Sequence, residues 1–240
     1  MTLTEAEVGA IIAALARVGG LAATAPVIGD AGVPARAKLV FVLAVAIAIG
    51  VNRPPVALAA LPMVAALELA IGLVTGLTAR FAMARVAVAG QLMGLSLGLG
   101  FAAQYDPHAG ESAGVLRSLI TTLASVAFLA AGGLEAVVRS AAAAPADLVQ
   151  LAGLGPALIH HATSAFAHGL SLAAPVMLAA IAGNVALAVM NRAAPAVNVF
   201  SIALSAVLIL GGVVLMATAA HLVAGVTDAA RAAVDVLGDR

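Results

Sequence analysis

The sequence predicts an all-α integral membrane protein built of helical hairpins. Three observations carry that prediction. Charged residues make up 9% of the 240 and hydrophobic residues 64%, with a mean hydropathy of +1.17, whereas a water-soluble domain is about 25% charged and about 45–50% apolar. Proline, glycine and charge divide the apolar mass into six or seven segments of helical length. Nothing alternates with the period of two that a membrane barrel requires. Lipid, or the apolar faces of partner subunits, is therefore the expected solvent for most of the chain.

The segments run at 8–27, 39–51, 56–79, 86–103, 118–138, 168–190 and 197–227. The first opens on Thr4 and Glu7, spaced as a capping box. Its first charges are Glu5 and Glu7 rather than a basic run, so it is expected to be retained rather than removed as a signal. The breaks fall at 29–38, 52–55, 80–85, 104–117, 139–156 and 191–195. Pro26, Pro34, Pro54, Pro107 and Pro195 mark helix boundaries, because the residue before proline avoids the α region. A membrane helix needs about 20 apolar residues. The 39–51 segment is too short for that and 197–227 is longer than needed, which predicts non-standard insertion, with hairpins buried among other subunits. The odd-numbered breaks carry Arg36, Lys38, Arg80, Arg85 and Arg139, against Arg53, Arg117 and Arg192 in the even ones, which places the odd breaks on the cytoplasmic side. No polar linker divides the chain, so 1–240 reads as one domain. From about 226 to 238, Val226, Ala230, Val234 and Leu237 share one helical face and Asp228, Arg231 and Asp235 another, which predicts an amphipathic C-terminal helix on the membrane surface, on a partner, or as a solvated end.

Composition also excludes. Eleven basic and eleven acidic residues balance to +0 with no basic stripe, so nucleic acid is not an expected partner. The absence of cysteine removes disulfides and thiolate metal sites. No cofactor or metal is expected, and no glycine-rich phosphate loop follows a strand.

Few residues carry possible chemistry. Arg17 and Glu68 lie inside apolar segments, where charge is costly and is either paired or functional. They read as a structural ion pair, or Glu68 as a proton-coupling group. Gly72 and Gly76 are four apart, and Gly90, Gly94 and Gly98 repeat that spacing, with Gly100 beyond. Such faces let backbones approach closely, within the chain or against another subunit. His161, Ser164 and His168 share a face beside His160. They lack the orienting acid of a Ser–His enzyme and the further ligand of a zinc site, so they read as ordinary polar residues and catalysis is not expected. Asn198 reads as the cap of the last long helix.

Four stretches carry a family resemblance: Thr24-Ala25-Pro26-Val27-Ile28-Gly29 followed by Gly32-Val33-Pro34-Ala35-Arg36-Ala37-Lys38; Glu68 to Gly72 with Gly76; Ala89 to Ala102 closed by Tyr105-Asp106-Pro107; and Arg192 to Ser201, containing Pro195, Asn198 and Phe200. In order and together, they resemble the FliR export-gate proteins of the bacterial flagellum, related to the SpaR/YscT components of virulence secretion. The third stretch looks more like the flagellar branch. One departure is Ile202-Ala203-Leu204-Ser205-Ala206, which lacks the proline and lysine of the family pattern. The resemblance implies a non-enzymatic inner-membrane subunit of the flagellar basal body. It would form a channel for unfolded flagellar subunits with FliP-type and FliQ-type proteins and contact an FlhB-type protein. It also implies a gate loop at about 104–114, where Tyr105, Asp106, Pro107, Gly110 and Gly114 allow turning. A virulence-type gate is the alternative. A secondary transporter is a third reading; it predicts an internal repeat, which the sequence lacks.

Overall fold

The computed structural model describes residues 4–98, 114–193 and 199–238, with backbone alone at 115 and 199–204. Eight helices follow one another among the described residues: α1 (Glu5–Thr24), α2 (Ala35–Gly50), α3 (Leu61–Ser96), α4 (Val115–Ala130), α5 (Gly133–Ala142), α6 (Leu148–Ala193), α7 (Val199–Ala217) and α8 (Ala219–Gly238). No strand occurs among these residues. Three helices, α1, α3 and α6, are long and apolar enough to cross a membrane, and up to five spans result if each bent pair counts as one. The chain is an all-α membrane protein.

Helix α1 begins where the capping box predicts. Thr4 N–H donates to Glu7 Oε2 at 2.7 Å, and Thr4 Oγ1 accepts from Glu7 N–H at 3.4 Å. Its far end closes in a tight turn. Val27 has a φ of 66°, and Ile28 N–H reaches the Pro26 carbonyl at 2.8 Å. A β-branched residue at positive φ is an outlier whose strain is of order 1–3 kcal/mol. The turn tucks under α1 because position 29 is glycine: a Cβ there would lie 2.8 Å from the carbonyl oxygens of Ala23 and Ala25. Pro34 then stands at the N-cap of α2. Helix α2 returns along α1 as a hairpin, with Gly50 so close that a Cβ would meet Ile11 Cα at 2.7 Å.

Four boundaries differ from the sequence expectation. The 80–85 break does not exist; α3 runs through it for 36 residues. That stretch holds no proline or glycine, and its charges are met sideways. Arg80 pairs with Asp30, and Arg85 Nη2 donates to the Asp228 carbonyl at 2.5 Å. The 118–138 segment is two helices, α4 and α5, bent by 60° where Gly132 takes a φ of 84°. The 139–156 break shrinks to a short connection, because α6 starts at Leu148 and continues for 46 residues through Pro156 and Pro175. Asp147 starts it by accepting from Gln150 N–H at 2.6 Å. The 197–227 segment likewise divides into α7 and α8, bent by 65°, so the C-terminal helix begins at Ala219 rather than near 226.

The described residues fall into two compact units. One lies within Met1–Met83, Ser125–Thr163 and Ala230–Arg240. Its core joins Ala14, Val18 and Leu21 of α1 to Ala79 and Ala82 of α3, Phe128 of α4, Val137 of α5 and Leu237 of α8. Alanine dominates this core, so it is stabilised by close helix approach more than by side-chain volume. The apolar face of α8 is thus covered by the chain itself at Ala230, Ala233 and Leu237, while Arg231 and Asp235 stay exposed. The other unit lies within Ala84–Ala124 and Ser164–Ala229, with Val86, Met93, Leu172, Val176 and Val207 buried.

Candidate functional site

Among the described residues, the buried charges gather in a three-charge cluster in the first unit. Arg17 enters it from the fourth turn of α1, Glu68 from the second turn of α3, and Arg53 from the connection between α2 and α3. Arg17 and Glu68 form an ion pair, each 1% exposed. Arg53 Nη1 donates to Glu68 Oε1 at 2.9 Å and is 8% exposed. The same Oε1 accepts from Ala146 N–H at 3.0 Å. Two guanidinium groups against one carboxylate leave a surplus positive charge, which the C-terminal end of α5 meets. Arg53 Nη2 donates to the carbonyls of Ala141 and Ala143 at 2.9 and 3.0 Å, and Arg17 Nη1 donates to Ala143 at 3.1 Å. Helix C-terminal carbonyls lack intrahelical donors and carry partial negative charge, so cations suit them. Arg17 Nη2 and Arg53 Nε find no acceptor among the described residues. The cluster thus binds α1, α3, the 51–60 connection and both sides of the α5–α6 joint. Chemically it supplies electrostatic cohesion: Glu68 accepts hydrogen bonds at Oε1 from Arg53 and Ala146, and its Oε2 faces Arg17 in the ion pair.

The glycine positions divide. Gly72 and Gly76 let α3 lie against α1: added Cβ atoms would strike the Arg17 carbonyl and the Thr24 hydroxyl. Gly20 completes this contact from α1, where a Cβ would come within 2.7 Å of the Leu69 carbonyl. Thr24 Oγ1 donates across it to the Leu73 carbonyl at 3.1 Å. In the second unit, Gly90 faces Arg117 of α4, whose Cα would be 2.7 Å from an added Cβ. Gly94 differs: a Cβ there meets nothing within 4 Å among the described residues. Gly98, with a φ of 74°, follows the end of α3.

The remaining sequence candidates are scattered. Pro26 and Gly29 build the turn after α1, while Arg36 and Lys38 sit in the first turn of α2, Arg36 exposed and Lys38 partly buried. On α6, His168 Nδ1 lies 2.8 Å from the Ser164 carbonyl oxygen, and the rings of His160 and His161 meet edge to face at 5.5 Å. No group of three metal-ligating side chains forms among the described residues. Gly100, Tyr105, Asp106, Pro107, Gly110, Pro195 and Asn198 lie outside the described residues, and Phe200 is described only as backbone of α7.

Sequence reasoning missed Arg53 as a member of the cluster. A signal existed. Glu68 is the one acidic residue between Asp30 and Asp106, in a stretch with five basic residues, Arg36, Lys38, Arg53, Arg80 and Arg85. A buried carboxylate in such company attracts more than one of them. The α5 carbonyls had no sequence signal, because the bend at Gly132 that aims α5 toward the arginines is a backbone property.

Comparison with known proteins adds to this geometry. Residues 8–233 match the bacterial export proteins, family 1. The flagellar biosynthetic protein FliR of Escherichia coli (strain K12) is 32% identical over 219 residues, 88% of this chain and 84% of that protein. FliR of Pectobacterium carotovorum is 30% identical, covering 81% of this chain and 78% of that protein. FliR of Caulobacter vibrioides is 28% identical over 88% and 87%. With a match across nearly its whole length and relatives of this closeness, the chain belongs to the bacterial export proteins, family 1.

Proposed function

We propose that the chain is a non-enzymatic subunit of the flagellar protein export gate in the bacterial inner membrane. It forms part of the channel for unfolded flagellar subunits together with FliP-type and FliQ-type proteins, and it contacts an FlhB-type protein. Its family and the FliR name of its relatives support the export role. The observation that carries the assembly role is the exposed apolar surface of α6. Val149, Phe166, Leu178, Val185 and Val189 along this helix are 59–80% exposed. From Leu148 to Met190 the helix rises about 63 Å at about 1.5 Å per residue. The bilayer hydrocarbon is only about 30 Å thick. Measured along the helix, the stripe is thus about twice as long as one bilayer crossing needs. Lipid alone does not cover such a stripe; neighbouring protein does.

The test is co-expression of the tagged chain with FliP-type and FliQ-type proteins from the same bacterium, followed by purification in mild detergent. The reading expects one stable complex containing all three. Recovery of the chain only as a free monomer, while the other two assemble without it, contradicts the reading.

A further inference from the structure

The sequence marks 139–156 as a break, yet α6 already runs as helix from Leu148. Such a conflict between local preference and observed structure is where a working part is expected. The first two turns of α6 lie between two unusual features. At their base, the 143–147 connection is gripped from inside by charge: Arg53 and Arg17 hold the Ala141 and Ala143 carbonyls, and Glu68 holds Ala146 N–H. At their far end stand Gly153, Gly155 and Pro156. Proline removes the bond to the Ala152 carbonyl and crowds it. The two glycines are not needed for packing among the described residues, since a Cβ at either meets nothing there within 4 Å. Between these points only Leu154 is buried, while Leu148 and Val149 are 69% and 80% exposed.

We propose that residues 143–156 form a latched joint. The Arg17–Glu68–Arg53 cluster closes the latch on the α5–α6 connection, and Gly153–Pro156 is the hinge about which the first two turns of α6 swing when the latch opens. Glu68 serves here as a positioning group that holds backbone. The inference stands on this geometry alone and does not depend on the export role.

Amide hydrogen exchange on the full chain in detergent tests it with two variants. Arg53→Met weakens the latch by removing its bonds to the Ala141 and Ala143 carbonyls, and leaves the Arg17–Glu68 pair in place. It is expected to speed exchange across 144–155 about tenfold, with α1 and the 160–190 stretch of α6 changing less than about threefold. Gly153→Ala/Gly155→Ala/Pro156→Ala stiffens the hinge and favours folding of the helix. It is expected to slow exchange of 148–155 about tenfold. Unchanged exchange at 144–155 in Arg53→Met, or an equal rise in α1, overturns the latch. Unchanged exchange at 148–155 in the triple-alanine variant overturns the hinge.

Discussion

Around Glu68 the chain pairs its buried charges with one another, whereas along one face of α6 it leaves apolar side chains exposed. In the first region two arginines, one carboxylate and three backbone groups hold one another at 1–8% side-chain exposure, although Arg17 Nη2 and Arg53 Nε find no acceptor among the described residues. Gly72 and Gly76 bring α3 against the backbone of α1. In the second, Leu178, Ile181, Val185 and Val189 stand 55–66% exposed on one long helix. The difference separates two uses of an apolar sequence. One holds helices of this chain together; the other, on the proposed function, presents surface for neighbours. Substitutions in the first region should therefore act on stability, and those in the second on assembly.

The largest stability effect is expected from Glu68→Ala. It strands two buried guanidinium groups and frees Ala146 N–H, and breaking a buried pair in this way costs about 3–5 kcal/mol. Thermal unfolding in detergent reads it, and a loss below about 1 kcal/mol would remove the cluster from the first region's stability. Gly72→Leu comes next. The added side chain meets the Arg17 carbonyl, and overpacking of this kind costs about 1–3 kcal/mol. The same change at Gly94 sharpens the contrast. With nothing within 4 Å of an added Cβ, Gly94→Leu should shift the unfolding free energy of the isolated chain by less than about 1 kcal/mol, yet reduce recovery of the complex with FliP-type and FliQ-type proteins. Unimpaired assembly would place Gly94 outside any subunit contact. The smallest effect is expected from His168→Ala. Its ring contacts the Ser164 carbonyl one turn away, so stability should move by less than about 0.5 kcal/mol, with swimming motility unchanged in a complemented strain. Lost motility from a normally folded and assembled His168→Ala protein would return chemistry to that face.

The class was legible because composition determines it: a chain with 9% charge has few other solvents. Helix starts were legible where a side chain makes the cap, as at Thr4, or where proline occupies it, as at Pro34. Charge misled. Arg80 and Arg85 read as a break, but a helix passes through charge when neighbours accept it, and Asp30 and the Asp228 carbonyl do so. Glycine misled in both directions. Gly132 divides a segment that looked continuous, because it adopts a left-handed φ; Gly153 and Gly155 were counted as break and lie inside helix. Neither outcome is written in a local pattern, since the surrounding packing decides it. Arg17 and Glu68 stood out as charges within apolar runs. Arg53 did not, because it sits in a proline-rich connection where charge is ordinary.

The central claim is that protein, beyond lipid, covers the outer face of α6. The chain has no native cysteine, so single cysteines at positions 149, 166, 185 and 189 report cleanly on their surroundings. Each is labelled in membranes with a water-soluble and with a lipid-soluble maleimide, first with the chain expressed alone and then with FliP-type and FliQ-type proteins. The account predicts that the chain alone labels at every position with one reagent or the other, and that co-expression protects at least one end of the stripe from both. Identical labelling at all four positions with and without those proteins would contradict it.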